Sequence, residues 1–262
     1  MLKENEIYLG DCLELMPEIK EKSVDLILCD LPYGVLNQRN KHAQWDSIIP
    51  FEPLWEQYKR LIKDTGIIVL FAQGMFTAKL MMSNPDWWRY NLVWHKESVT
   101  GFLDANRKPL RCHEDICVFA PNFYQTTYNP QMSKVPWHDR NHHNNGNSIR
   151  KNSCYGNFKA MQSRIVDDKY PRSIISFPKL KKEGEMEYKY HPTNKPVDLL
   201  RYLILTYSNE GDLVLDNTMG SGSTCVAAIK EKRKFIGIEI TEEYFDIAKS
   251  RIERELSQPT LF

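Results

Sequence analysis

An apolar run, Leu213-Val214-Leu215, ends in Asp216 and enters a turn holding Gly220, Ser221 and Gly222. The residues after it, TCVAAIKEKR, are good helix formers. No other stretch restricts the fold as strongly. A short unbroken apolar run marks a strand buried on both faces of a parallel sheet. Strand, glycine turn and helix in that order bring bare backbone and a helix N-terminus up to a ligand. A second apolar run, Phe235-Ile236-Gly237-Ile238, ends in Glu239, 23 positions after Asp216. That spacing is near the ~20 residues that separate the turn from a ribose-gripping carboxylate in a βαβ unit. A plain tight turn in any α/β protein has the same form, so the pattern alone leaves both readings open.

The rest of the chain alternates in the same way. Ile7-Tyr8-Leu9, Val24 to Cys29, Ile67 to Phe71 after Gly66, Asn91 to Trp94 and Ile116 to Phe119 read as strands. Residues 12–21, 51–63, 75–82, 197–207 and 241–256 read as helices, the first interrupted by Pro17. Residues 34–50 read as an irregular loop. Strands alternating with helices imply a mostly parallel, helix-covered sheet. From about 121 to 190 the pattern fails, and Asn, Gln, Ser, Lys, Tyr and His dominate. That is too long for a plain connection in a compact domain. The expected organisation is therefore 1–120, an insert at 121–190, and 191–262.

Charge separates the insert from the body. The chain is nearly neutral, with 35 Lys and Arg against 34 Asp and Glu, yet residues 101–190 hold 15 against 9. A basic middle suits a polyanion, and a solvated charged surface is the alternative. The six cysteines show no CxxC pair, and the Cys112, His113, Cys117 and His138, His142, His143 groups lack paired ligand spacing, so no metal is expected. No apolar run reaches ~18 residues, and Met1-Leu2-Lys3-Glu4 does not open a signal peptide. A soluble, cytoplasmic protein with no membrane segment is the expectation.

The form of the turn narrows the ligand. It has no Gly-Lys-Ser/Thr ending and no GxGxxG, so phosphate is not provided for. Asp216 before the turn repels phosphate and attracts a cationic amine. An amine and a ribose without phosphate describe S-adenosylmethionine. Asp30-Leu31-Pro32-Tyr33-Gly34 follows another strand end, where open α/β sheets place their sites. One reading is structural: Asp caps, Pro turns and Tyr packs. The other is chemical. Asp30 accepts a hydrogen bond from an exocyclic amino group, and the Leu31 carbonyl, freed by Pro32, accepts a second. Tyr33 offers a face on which a flipped base stacks, a contact of ~1–3 kcal/mol. Pro32 rigidifies the pair.

These segments together resemble the permuted (β-group) DNA amino-methyltransferases of bacteria and phages. In that group an Asp-Pro-Pro-Tyr tetrapeptide precedes the cofactor loop, with the target-recognition segment between them. Asp30-Leu31-Pro32-Tyr33 matches it with Leu at the second position, which acts through its carbonyl. Asp216 to Thr224 resembles the family's Asp-Pro-Phe-x-Gly-Ser-Gly-Thr-Thr, with Asn217 and Thr218 in place of Pro and Phe. His191-Pro192-Thr193-Asn194-Lys195-Pro196 resembles its His-Pro-Thr-x-Lys-Pro helix start, and Gly10-Asp11-Cys12 its N-terminal Gly-Asp. Glu239 stands where the family has its ribose-binding acid.

The resemblance implies a Rossmann-like class I methyltransferase with a mainly parallel seven-stranded sheet, helices on both faces and an inserted target-recognition region. It implies methyl transfer from S-adenosylmethionine to an exocyclic amino group in double-stranded DNA, on a base that has left the stack. Asp30, Leu31, Pro32 and Tyr33 are then catalytic. Asp11, Cys12, His191, Thr193, Lys195, Asp216, Asn217, Gly220, Ser221, Gly222, Ser223, Thr224 and Glu239 hold the cofactor. No Pro-Cys pair stands near Asp30, which argues against the covalent route to cytosine ring carbons. Asp rather than Ser at the head of the tetrapeptide favours adenine. Methylation of the cytosine 4-amino group, of RNA or of a protein glutamine, and an inactive DNA-binding module, are the alternatives. A homodimer is allowed, and a restriction partner is left open.

Overall fold

Strands form at the centre of the sheet where apolar residues run without a break. The computed structural model describes residues 1–35, 46–134, 150–152, 156–158, 168–179 and 194–257. Its strands are β1 (Glu6–Leu9), β2 (Val24–Cys29), β3 (Ile62–Ala72), β4 (Trp88–Thr100), β5 (Arg111–Phe119), β6 (Ser133–Lys134), β7 (Arg150–Asn152), β8 (Gly156–Phe158), β9 (Asp168–Lys169), β10 (Ile174–Ser176), β11 (Leu213–Asp216) and β12 (Lys234–Glu239). Its α-helices are α1 (Cys12–Leu15), α2 (Phe51–Leu61), α3 (Met75–Ser83), α4 (Val197–Tyr207), α5 (Ser223–Lys230) and α6 (Glu242–Ser257).

The chain divides into two units, Met1–Asn129 with Ser173–Phe262, and Pro130–Arg172. The second is narrower than the 121–190 suggested by composition. It contains two short antiparallel pairs, β6 with β9 and β7 with β8.

The larger unit is built on one sheet in the order β1-β12-β11-β2-β3-β5-β4-β10. It has eight strands rather than seven, because Ile174–Ser176, inside the stretch expected to be irregular, pairs in parallel with β4. β5 runs antiparallel to both its neighbours, and the other pairings are parallel. Side chains alternate across each strand. Leu26 and Leu28 of β2 therefore pack with Leu203, Ile204 and Tyr207 of α4 and with α5 and α6. Ile27 and Cys29 pack on the opposite face with Leu54, Tyr58 and Leu61 of α2 and with α1 and α3. Leu54, Trp55, Tyr58 and Leu61 are buried at helical spacing, which fixes the face α2 presents.

Several bounds differ from the sequence reading for physical reasons. α1 ends at Leu15 and a 3-10 turn, Met16–Glu18, follows, because Pro17 lacks the amide that would continue the helix. α2 stops at Leu61, since Ile62 already pairs with Val24, and β3 runs through Gly66 after a register shift. β4 and β5 extend well beyond their apolar cores, and His95 faces His113 in the added stretch.

From β2 the chain leads to β3 on one side, while β11 leads to β12 on the other. Ligands of open α/β sheets bind at the carboxyl ends of strands at such a reversal. Asp30 follows β2 and Asp216 ends β11, so both acids lie there.

Candidate active site

The carboxyl ends of β2, β11 and β12 open into a cavity of about 660 Å³, within the ~300–1,000 Å³ typical of small-molecule sites. Asp11, Cys12, Asp30, Leu31, Pro32, Tyr33, Lys195, Asp216, Asn217, Gly220, Ser221, Ser223, Thr224 and Glu239 all line it. His191 and Thr193 lie outside the described residues. Gly222 does not line the cavity. Its φ of +78° ends the turn, and a Cβ there would stand 2.9 Å from that of Ala248. Gly222 is thus required by the packing of α5 on α6.

At the tetrapeptide, Leu31 buries its side chain in the core on the α1 to α3 face and also lines the cavity. Asp30 keeps 26% of its side chain exposed, enough for a ligand to reach. Its Oδ1 accepts from the Tyr33 hydroxyl at 2.7 Å, and its Oδ2 pairs with Lys195 Nζ. The Tyr33 ring packs on Phe76, with centroids 4.9 Å apart.

Lys195, expected to hold the cofactor, lines the cavity and turns its ammonium to the Asp30 carboxylate. It also lies 3.4 Å from Glu114 Oε2, and Glu114 pairs in turn with Lys96. Four charges thus alternate in sign along one wall: Lys96, Glu114, Lys195, Asp30. Burial pushes the Asp30 carboxyl above its usual range, and Lys195 opposes that shift. Burial disfavours the Lys195 charge, but Asp30 and Glu114 outweigh it and raise the Lys195 pKa. Burial also disfavours ionised Glu114, but its two lysines outweigh that and lower its pKa.

Also lining the cavity, Asp11 caps α1 by accepting from Leu13 N at 2.8 Å. Glu239 accepts from Gly220 N and Thr241 N, each at 2.8 Å, which ties β12 to the glycine turn. Burial pushes the Asp216 carboxyl up to about 7. Asn217 Oδ1 accepts from the Tyr58 hydroxyl at 2.6 Å and from Cys29 at 2.9 Å, which orients its amide. The glycine turn is braced from behind by buried Arg251, whose Nη1 donates to the Ser221 carbonyl at 2.6 Å and to the Ser223 hydroxyl at 3.1 Å. Ser221 Oγ donates to Asn194 Oδ1 at 2.6 Å, joining the turn to the segment before α4.

A family profile described as DNA methylase, covering N6 and N4 amino-methyltransferases, matches residues 24–250. The chain belongs to this family. The type II methyltransferase M.HinfI of Haemophilus influenzae is 29% identical to the methylase over 290 residues, covering 99% of this chain and 73% of the relative. The DNA adenine methyltransferase YhdJ of Escherichia coli is 29% identical over 260 residues, covering 94% and 82%. Among solved structures, the M1.HpyAVI–SAM complex superposes with a TM-score of 0.60 at 24% identity over 94% of this chain and 98% of that one. The cytosine-N4-specific PvuII DNA methyltransferase gives 0.67 at 16% identity over 100% and 89%. The fold is that of the class I methyltransferases.

Sequence reading of the methylase missed Lys96, Glu114 and Arg251. Only Arg251 left a signal, a charge within the apolar stripe of Phe245, Ala248 and Ile252. Among the described residues no helix is long and apolar enough to cross a membrane.

Proposed function

We propose that the methylase transfers a methyl group from S-adenosylmethionine to the 6-amino group of adenine in duplex DNA. The observation that carries this reading is the shared cavity: the Asp30–Tyr33 tetrapeptide lines the same space as the β11–α5 glycine turn and Glu239. Acceptor and donor sites must adjoin for a direct transfer. S-adenosylmethionine supplies a methyl group made electrophilic by its sulfonium.

The chain's own polar groups fit that donor. Asn217, its amide oriented by Tyr58 and Cys29, lines the cavity next to Asp216. Glu239 retains a lone pair on each oxygen for ribose hydroxyls, and Asp216 offers a carboxylate for the ammonium. At the acceptor, Asp30 and the Leu31 carbonyl take the two hydrogens of the amine and aim its lone pair. Tyr33 first releases Asp30 Oδ1 and then stacks on the base. The tetrapeptide-first order is that of the permuted β-group. Asp at its head, together with the likeness to an adenine methyltransferase, supports adenine over cytosine. The basic excess between 121 and 190 supports target recognition by that insert.

Two outcomes follow for the donor. Glu239→Ala should weaken S-adenosylmethionine binding by roughly 10- to 150-fold, from lost charge-assisted hydrogen bonds of ~1.5–3 kcal/mol. Calorimetry with unchanged affinity would remove Glu239 from the site. Affinity should also rise between pH 6 and 7.5, because Asp216, with its pKa raised to about 7, gains its charge as pH climbs. Above ~8 the donor's own α-amine loses its proton, and affinity should fall. Asp216→Asn should flatten the rise, and a pH-independent wild-type affinity would contradict the pairing. The reading as a whole is tested by offering labelled donor with plasmid DNA, RNA or protein in parallel. Label on DNA is expected, and label confined to RNA or protein would overturn it.

A further inference from the structure

Asp46 is 3% exposed, and its carboxylate accepts three consecutive backbone amides just after the acceptor residues. Oδ1 takes Tyr33 N at 2.8 Å and Gly34 N at 3.1 Å, and Oδ2 takes Val35 N at 2.8 Å. Successive amides turned to one point make a concavity for negative charge. Here the protein supplies that charge itself. At the other end of the tetrapeptide, Thr218 Oγ1 donates to the Asp30 carbonyl at 3.2 Å.

Between these two anchors little is left to rotate. The Leu31–Pro32 peptide is planar, and the Pro32 ring fixes its own φ. The next peptide plane ends in the Tyr33 amide, which Asp46 holds. The direction of the Leu31 carbonyl therefore depends on Asp46. The turn is made to measure: Gly34 has φ +69°, and a Cβ there would lie 2.8 Å from Ile48 Cγ1. Asp46 and Ile48 both belong to the stretch that lines the cavity.

We propose that Asp46 is a positioning residue for the transfer, holding the tetrapeptide so that the Leu31 carbonyl and Asp30 face the amino group together. The proposal rests on the amino-methylation reading. Asp46→Ala removes all three acceptor contacts. Asp46→Asn keeps the shape and the Oδ1 contacts but sets an NH2 against the Val35 amide. Single-turnover methylation of plasmid DNA should fall about 10²-fold in the Ala variant, the scale of a 1 Å misplacement. The Asn variant should show an intermediate loss. Donor affinity should stay within about threefold of wild type in both.

Hydrogen exchange gives a readout independent of turnover. In Asp46→Ala the amides of Tyr33, Gly34 and Val35 should exchange faster, while those of β2 and β11 keep their protection. Wild-type exchange at those three amides, or wild-type methylation by the Ala variant, would overturn the proposal. So would an Asn variant that loses donor binding and strand protection along with turnover, since that marks general support of the fold. A wild-type enzyme that transfers no methyl to DNA would instead contradict the amino-methylation reading, and the exchange result would still decide whether Asp46 clamps the loop.

Discussion

Asp30→Asn is expected to slow methyl transfer by about 10²- to 10³-fold, the range for loss of one pre-organised electrostatic group, with donor affinity nearly unchanged. Asn keeps the size of Asp and one acceptor oxygen, so the fold should stand. What it loses is the charge. Its NH2 would meet either the Lys195 ammonium or the Tyr33 hydroxyl, which now occupy the two Asp30 oxygens. The amino group of the base would no longer find two acceptors at once. An interaction used mainly in the transition state affects turnover rather than donor binding. Single-turnover rates beside calorimetric donor affinities check this. A variant that retains more than about a tenth of the wild-type rate would remove Asp30 from the catalytic role.

Lys195→Met is expected to have the second largest effect, and its signature is a shifted pH profile. Lys195 is 8% exposed and pairs with both Asp30 and Glu114. Removing the ammonium leaves two carboxylates that share only Lys96 on the Glu114 side. Breaking a buried pair from one side costs about 3–5 kcal/mol, so a lower melting temperature is expected. The Asp30 carboxyl is already raised by burial and is restrained by Lys195. Without that restraint its pKa climbs further. In the proposed transfer the ionised form accepts from the amine, so activity should be lost as pH falls through the Asp30 pKa. The acidic limb of the rate profile should therefore move to higher pH, and raising the pH should recover part of the rate. A limb that stays in place or moves to lower pH would show that Lys195 does not govern Asp30.

The frame of the fold was legible where one residue type repeats locally. β2, β11 and β12 announce themselves as apolar runs because both faces are covered by helices. The distal halves of β4 and β5 do not. Lys96 and Glu114 are polar in sequence and become compatible with a buried strand by pairing with each other and, for Glu114, with Lys195. β10 is three residues long at the sheet edge, too short for a periodicity to show.

The site follows the same logic. Asp30, Asp216 and Glu239 stand at strand ends and could be picked out one by one. The lysine partner of Asp30 is 165 positions away, and the carboxylate that holds the Tyr33 amide stands 13 positions on with no spacing rule to mark it. Arg251 reaches the glycine turn from a different helix. Contacts of this kind are set by the packing of elements, which a local pattern does not encode.

The central claim, that this cavity methylates the exocyclic amino group of adenine, is tested most directly by the chemical identity of the product. Plasmid DNA incubated with the wild-type protein and methyl-labelled S-adenosylmethionine, digested to nucleosides and separated, should carry the label on N6-methyladenine, with none transferred by Asp30→Ala. Label on N4-methylcytosine would contradict the adenine assignment while keeping the amino chemistry, and label on a ring carbon, or label undiminished in Asp30→Ala, would contradict the account itself.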